Sequence, residues 1–472
     1  MTKIFQIVTF CLLLSIFSIT ALAQSAGKPP LIIIPGITGS ELVNSETGEI
    51  VWFTLKHSKG DELRLPMSPD LKKNRDKIVA KDILREVRLP GALPDIEVYQ
   101  PVLDFLKTQG YSEASWNNPQ AEDVFYVFSY DWRRDNVESA QELIKKMEAV
   151  KQQLKKPNLK FEIIAHSMGG LIARYAAMYG AADLVPERRR PVPNWYGAKH
   201  ISKILMFGTP NDGSFNAFVA LLNGYDLGGI NLPFIDDLDK EDAFTIPSLF
   251  QLIPHGSSAR FLNQNLDLIN VDIYQPATWR KYGWGAISDP GFLGKLKDAE
   301  NLNVKIVKRK KEESLDDKLL AETTFEQVDK YFTEVLSRAR RFHQALDVVL
   351  TNSTVEILAF GSDCKPTLDA IVVYRDKEKA RWVTITKPRD IKMSDGEKVT
   401  EEEVRAAMYS PGDGNVTRRS LLVDNVFSKL RNAYTEKGQP PIYSFFFCAP
   451  HHRLLGNKPI QEAFFPLLSI KK

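Results

Sequence analysis

The apolar residues of this chain fall into short runs separated by longer amphipathic stretches. "PLIIIPG", "DVFYVFSY", "FEIIAH", "ISKILMFG", "VEILAFGSD" and "YSFFFCAP" have the length and continuity of strands buried on both faces. Between them, "VYQPVLDFLKTQGY", "ESAQELIKKMEAVKQQLKK" and "LIARYAAMYGAA" have helical spacing. Strand alternating with helix predicts a mostly parallel central sheet with helices on both faces. Two spans break the rhythm. Residues 49–89 are charged and irregular, and are expected to run over the surface. Residues 215–350 mix apolar loops ("GGINLPFI", "PGFLGKL") with charged helices, which reads as a cap inserted into the core. The expected organisation is therefore a first core part over 24–214, a cap over 215–350 and a second core part over 351–472. The second part includes a probable-hairpin pattern, "DAIVVYRDKEKARWVTIT".

The N-terminus changes the picture of where the protein works. "MTKIFQIVTFCLLLSIFSITALAQ" places Lys3 before an apolar stretch and a small-residue site at Ala21–Ala23. This is the layout of a secretory signal peptide over residues 1–23, implying a periplasmic or extracellular protein. The alternative is an uncleaved anchor, since about 20 apolar residues span a bilayer. No later run is long enough to cross one, so a soluble or peripheral mature protein is expected. Export leaves Cys364 and Cys448. Each ends a strand-like run, which makes them a candidate disulfide in an oxidising compartment. The net charge of +3, from 62 basic and 59 acidic residues, offers no field for nucleic acid. The basic run "VKIVKRKKEE" passes straight into acidic residues and reads as a solvated segment.

The chemistry concentrates in "FEIIAHSMGGLIARY". A strand, a sharp turn with Gly169 and Gly170, and a helix would raise Ser167 above the carboxyl edge of a sheet. That is the nucleophile-elbow pattern, with Ala165 in place of its first glycine. The competing reading is a serine that caps the helix. A serine nucleophile needs a base, and the base needs a carboxylate, in the chain order Ser, acid, His for this architecture. Of the seven histidines only His451 and His452 follow a late strand. Asp413, in "GDGNV", and Asp363, after "EILAFGS", both suit the acid. One oxyanion donor would be the N–H after the nucleophile, at Met168, and the other would come from the "IIIPGITGS" turn.

"PGITGSEL", "YDWR", "AHSMGG", "GTPNDGS" and "GDGNV", in this order, resemble the lecithin:cholesterol acyltransferase family of α/β-hydrolases, which includes lysosomal phospholipase A and bacterial relatives. The likeness runs from about residue 30 to 460 and is loose over the two irregular spans. It implies an α/β-hydrolase fold with a cap or lid, Asp413 rather than Asp363 as the acid, and the N–H of Ile37 as second oxyanion donor. It also favours His452 over His451 as the base, because the family's histidine precedes an apolar pair and an Asn, as in "HRLLGN". The activity implied is hydrolysis or O-acyl transfer on a lipid ester of phospholipid type, through an acyl-enzyme. The rivals are a silent lipid-binding protein on the same fold and an esterase for non-lipid esters. No cofactor or metal is implied, and the expected partners are the lipid substrate and a lipid surface. The family's disulfide-tied lid loop has no cysteine here near 51–65, where Trp52 and Phe53 stand as a candidate lid tip or as packing residues.

Overall fold

The computed structural model describes residues 27–54, 63–87, 96–224, 238–303, 324–348, 353–393, 395–423 and 444–468. The expected signal peptide and the basic run at 304–313 lie outside them. Seven strands form one sheet: β1 (Leu31–Ile34), β2 (Ser112–Glu113), β3 (Val124–Val127), β4 (Phe161–His166), β5 (Ile201–Phe207), β6 (Glu356–Gly361) and β7 (Ser444–Phe446). Their spatial order is β7-β6-β5-β4-β1-β3-β2, and every neighbouring pair is parallel. All six apolar runs named above contribute to this sheet.

Side-chain alternation explains the layering. Ile32, Ile34, Ile163, Ala165, Ile204 and Met206 face one side, against helices α2 (Asn136–Gln153) and α3 (Met168–Tyr179). Leu31, Ile33, Ile164, Leu205, Phe207 and Phe360 face the other, against α1 (Gln100–Thr108) and α6 (Lys458–Leu468). Each of these strand residues is fully buried, and such burial of a Leu, Ile or Phe contributes about 1.5–3 kcal/mol. Helices α4 (Phe215–Asn223) and α5 (Phe325–Leu346) lie between β5 and β6 in sequence. No described helix is long and apolar enough to cross a membrane.

Two elements differ from the sequence-based expectation or extend it. Residues 49–89 are not simply irregular: Ser40–Asn44, Ile50–Trp52 and Ile78–Ile83 pair as a small antiparallel sheet. Charged side chains on its outer positions (Lys81 paired with Glu41 at 3.0 Å) hide its alternation in the sequence. Trp52 is buried rather than a tip, packs 5.3 Å from the Trp132 ring, and donates through Nε1 to the Thr38 carbonyl at 2.9 Å. The late hairpin, Ile371–Asp376 with Arg381–Ile385, is joined on its edge by Phe261–Leu262.

A row of charge crosses the middle of the sheet. Lys203 on β5 is in register with Glu162 on β4 and Glu356 on β6, at 4.0 and 3.6 Å, and donates to the Leu467 carbonyl. Burial raises the Glu162 carboxyl to about 7, with Lys203 opposing and Glu356 reinforcing the rise, and its Oε2 has no hydrogen-bond partner. An acid whose folded pKa is raised binds more protons folded than unfolded, so stability falls as pH climbs from about 4.5 to 7 and is level above. The cost amounts to about 3 kcal/mol. Glu162→Gln is expected to remove this decline, so that thermal melts show the variant more stable than wild type at pH 8 and similar to it at pH 4.5.

Candidate active site

The turn after β4 is where local sequence and sheet geometry meet. Ser167 has φ 52° and ψ −125°, a region that non-glycine residues rarely occupy and that the surrounding structure must impose. Its N–H donates to the Phe207 carbonyl at the end of β5, at 2.8 Å. Its side chain makes no capping hydrogen bond to α3, so the helix-cap reading does not account for it. The two glycines are demanded by close approach. A Cβ on Gly169 would lie 2.5 Å from the Pro35 carbonyl oxygen, and one on Gly170 would lie 2.0 Å from Thr209 Oγ1.

The loop after β1 is brought over this turn and gripped by two phenols. Tyr130 Oη donates to the Pro35 carbonyl at 2.9 Å, and the Gly36 N–H donates to Tyr99 Oη at 2.9 Å. Tyr130 belongs to "YDWR", whose Arg133 is fully buried and forked onto Asp76 at 2.7 and 2.9 Å and onto Asp131 at 2.8 and 3.0 Å. That motif therefore braces the loop from behind. Gly36 lies against the nucleophile-type serine: a Cβ there would sit 2.8 Å from Ser167 Cβ. The Ile37 and Met168 N–H groups donate no hydrogen bond within the described residues.

Asp413 is buried and its carboxylate is saturated by donors. Oδ1 accepts the N–H groups of Asn415 and Val416 at 2.9 and 2.7 Å, and Oδ2 lies 2.7 Å from Nδ1 of His451. The His451 N–H also donates to the Asp413 carbonyl at 2.9 Å. The "GDGNV" loop is itself fastened to "GTPNDGS" by Ser214 Oγ on the Asn415 carbonyl at 2.6 Å and Asn216 Nδ2 on the Gly414 carbonyl at 3.0 Å.

The structure corrects the choice between the two histidines. His451, not His452, meets Asp413. Both lie in the short 3-10 turn His451–Arg453, where successive side chains diverge; one faces inward, and His452 is exposed beside Arg453. Partial burial, then Arg453 and His451, lower the His452 pKa. Asp363 is also placed apart, in an ion pair with Arg418 at 2.8 Å. Cys364 and Cys448 are disulfide-bonded, with Cα atoms 5.4 Å apart, where β6 and β7 end side by side. The bond anchors the strand end three residues before His451 to its neighbour in the sheet. No signal in "PHHRLL" separates the histidines; the register of the turn on the β7 exit does.

A second cluster lies behind "GTPNDGS". Asp212, His255 and Asp347 bring metal-ligand-type atoms within 4.8 Å of one another. His255 has both ring nitrogens towards acceptors, Asp347 Oδ1 at 3.1 Å and the Ile253 carbonyl at 3.5 Å. Burial pulls its pKa down, but Asp347 and Asp212 leave it raised. Arg174, lowered to about 10 by burial, is also held in the field of Asp347 and Asp212. The set is a structural network of ionisable groups joining the start of α4 and the end of α5 to the core. His343, stacked on His255 at 3.9 Å, stays neutral between Tyr274 Oη and the Gln251 carbonyl.

With this geometry in place, the relatives can be named. The family model of lecithin:cholesterol acyltransferase matches residues 81–421. The chain belongs to the lecithin:cholesterol acyltransferase family. Among solved structures it is similar to the Tle4–Tli4 complex, with 14% identity, 93% of this chain and 98% of that one covered, and a TM-score of 0.50. It also matches the mature lipase BlEst2 of Bacillus licheniformis, with 11% identity, 94% of each chain covered and a TM-score of 0.35. No curated protein matches it. The fold is that of the α/β-hydrolases, and membership places the protein among acyl-ester hydrolases and acyltransferases.

Closing a loop of this length with a disulfide stabilises by about 2–4 kcal/mol. Cys448→Ala is expected to lower the free energy of unfolding by that amount, and the denaturation midpoint with it. A reductant should lower the wild-type midpoint similarly and leave the variant unchanged, as equilibrium unfolding with and without dithiothreitol would show.

Proposed function

We propose that the protein is an exported serine-dependent lipid acyl-ester hydrolase or O-acyltransferase acting on phospholipid-type esters. The observation that carries this reading is the buried Asp413–His451 hydrogen bond, together with a strained, uncapped Ser167 at the turn after β4. His451, held in one tautomer by Asp413 on Nδ1, leaves Nε2 to take the Ser167 proton. Ser167 Oγ then attacks the ester carbonyl. The Ile37 and Met168 N–H groups, which donate no other hydrogen bond among the described residues, receive the oxyanion, a contribution of about 3–4 kcal/mol for each donor in enzymes of this kind. His451 protonates the leaving alcohol, and the acyl-enzyme passes its acyl group to water or to a second alcohol. The N-terminal segment supports export, and family membership supports a lipid ester over a small ester.

Labelling with a fluorescent fluorophosphonate, alongside hydrolysis of phospholipid vesicles, tests the assignment. Ser167→Ala should abolish labelling, and His451→Ala and Asp413→Asn should lower turnover by about 1,000-fold or more. His452→Ala should stay within about threefold of wild type, the range of a substitution outside such a unit. Loss on His452→Ala with retention on His451→Ala would overturn the choice of base.

A further inference from the structure

His166, the residue before the elbow serine, is buried and lies in none of the roles above. Its two ring nitrogens are both engaged. Nδ1 is 2.8 Å from Tyr99 Oη, and Nε2 is 3.0 Å from the carbonyl oxygen of His451. The ring also lies tilted by 40° against the His451 imidazole, centroids 4.8 Å apart, and packs edge-on against Tyr99 at 5.7 Å. The Gly36 N–H donates to the same Tyr99 Oη at 2.9 Å.

The two ends of this chain of contacts fix its direction. A backbone N–H can only donate, so Tyr99 Oη accepts from Gly36 and offers its own proton to Nδ1 of His166. A carbonyl can only accept, so Nε2 of His166 carries the ring proton and gives it to His451. His166 is therefore a neutral imidazole in a single tautomer. Burial, reinforced by the neighbouring His451, pushes its pKa down to about 3, which keeps it neutral at any working pH.

We infer that His166 is a positioning residue: through Tyr99 it ties the loop carrying the Ile37 N–H to the backbone of His451, and so sets oxyanion donor and base at a fixed separation across Ser167. This rests on the Ser167–His451–Asp413 reading and extends it. The geometry gives the reason. His451 is held by Asp413 through its N–H and its Nδ1, both from one side. Its carbonyl accepts from His166 Nε2 at 3.0 Å on the other side, and within its own 3-10 turn from the Leu454 N–H at 3.3 Å. Gly36 and His451 are separated by most of the chain, and hydrogen bonds through this pair of side chains link them. A polar pair buried this deeply is also costly to leave half made, because each freed partner loses its solvation without a replacement.

The test is steady-state kinetics on a p-nitrophenyl acyl ester, with fluorophosphonate labelling of the same samples. His166→Phe should lower kcat by about 100-fold, the scale of a sub-ångström to 1 Å misplacement of a catalytic group, with KM within about twofold. His166→Gln, whose amide can still donate to the His451 carbonyl, should recover about tenfold of that loss. Tyr99→Phe should cost about tenfold, and Tyr99→Phe with His166→Phe should be no worse than His166→Phe alone, because the two act as one unit. Should His166→Phe lose its thermal transition, His166→Gln and Tyr99→Phe carry the comparison. A rise in KM at constant kcat, no recovery in His166→Gln, or a double loss equal to the product of the single ones would overturn the inference. The two failures are distinguishable. If Ser167→Ala keeps full activity, the triad reading falls and this inference with it; if Ser167 labels normally while His166 and Tyr99 variants match wild type, only this inference falls.

Discussion

The backbone at Ser167 is the constraint around which the rest is arranged. A serine at φ 52° and ψ −125° has a cost that nothing local repays. It is held there because β4 ends in the centre of a seven-stranded sheet, with β1 on one side and β5 on the other, and because α3 must start at once. Packing of α3 against those strands brings the backbone of Ile34 and Pro35 within reach of Gly169 and the Thr209 side chain within reach of Gly170, where a Cβ would collide. The strain and the glycines are thus two results of one demand: a helix that begins as close to the sheet edge as the chain allows.

The other residues of the candidate site are carried on loops, and those loops are held by polar contacts. Tyr130 and Tyr99 grip the turn after β1 from opposite sides. Arg133, buried against Asp76 and Asp131, steadies Tyr130. Such a buried cation is tolerable only because two carboxylates satisfy its fork. The "GDGNV" loop is pinned by its own backbone, by Thr367 and by Ser214. The disulfide adds a covalent tie at the exit of β7. The side chains that define the family motifs are in this sense mostly scaffolding; few of them face the serine.

The ion network of Asp212, His255, Asp347 and Arg174 does the same for the region between β5 and β6. It joins a core loop to the ends of two helices from the inserted span, with Asp212, His255 and Arg174 buried and Asp347 partly exposed.

How much of this the sequence carried can be traced residue by residue. The elbow was legible because its requirements are local: an apolar strand, a serine, two glycines and a helix lie within fifteen residues. The sheet was legible because doubly buried strands are continuous apolar runs, and the cysteine pair because each ends such a run. The small sheet over residues 40–83 was not, since one of its faces is charged and its strands are short. The choice between His451 and His452 was not either. Adjacent residues have the same composition, spacing and neighbours, and differ only in which way the 3-10 turn points them, which depends on how β7 leaves the sheet. Likewise nothing in "AHS" announces that His166 meets Tyr99 and the His451 carbonyl, more than sixty and more than two hundred residues away. The sequence alone determined the order of strands and helices, the serine at the turn and the residue types available to it, because those follow from short-range sterics and burial. Which histidine meets Asp413, and which hydroxyls hold the loop after β1, was decided by the tertiary structure, because both depend on the relative positions of distant strands, which no local pattern encodes.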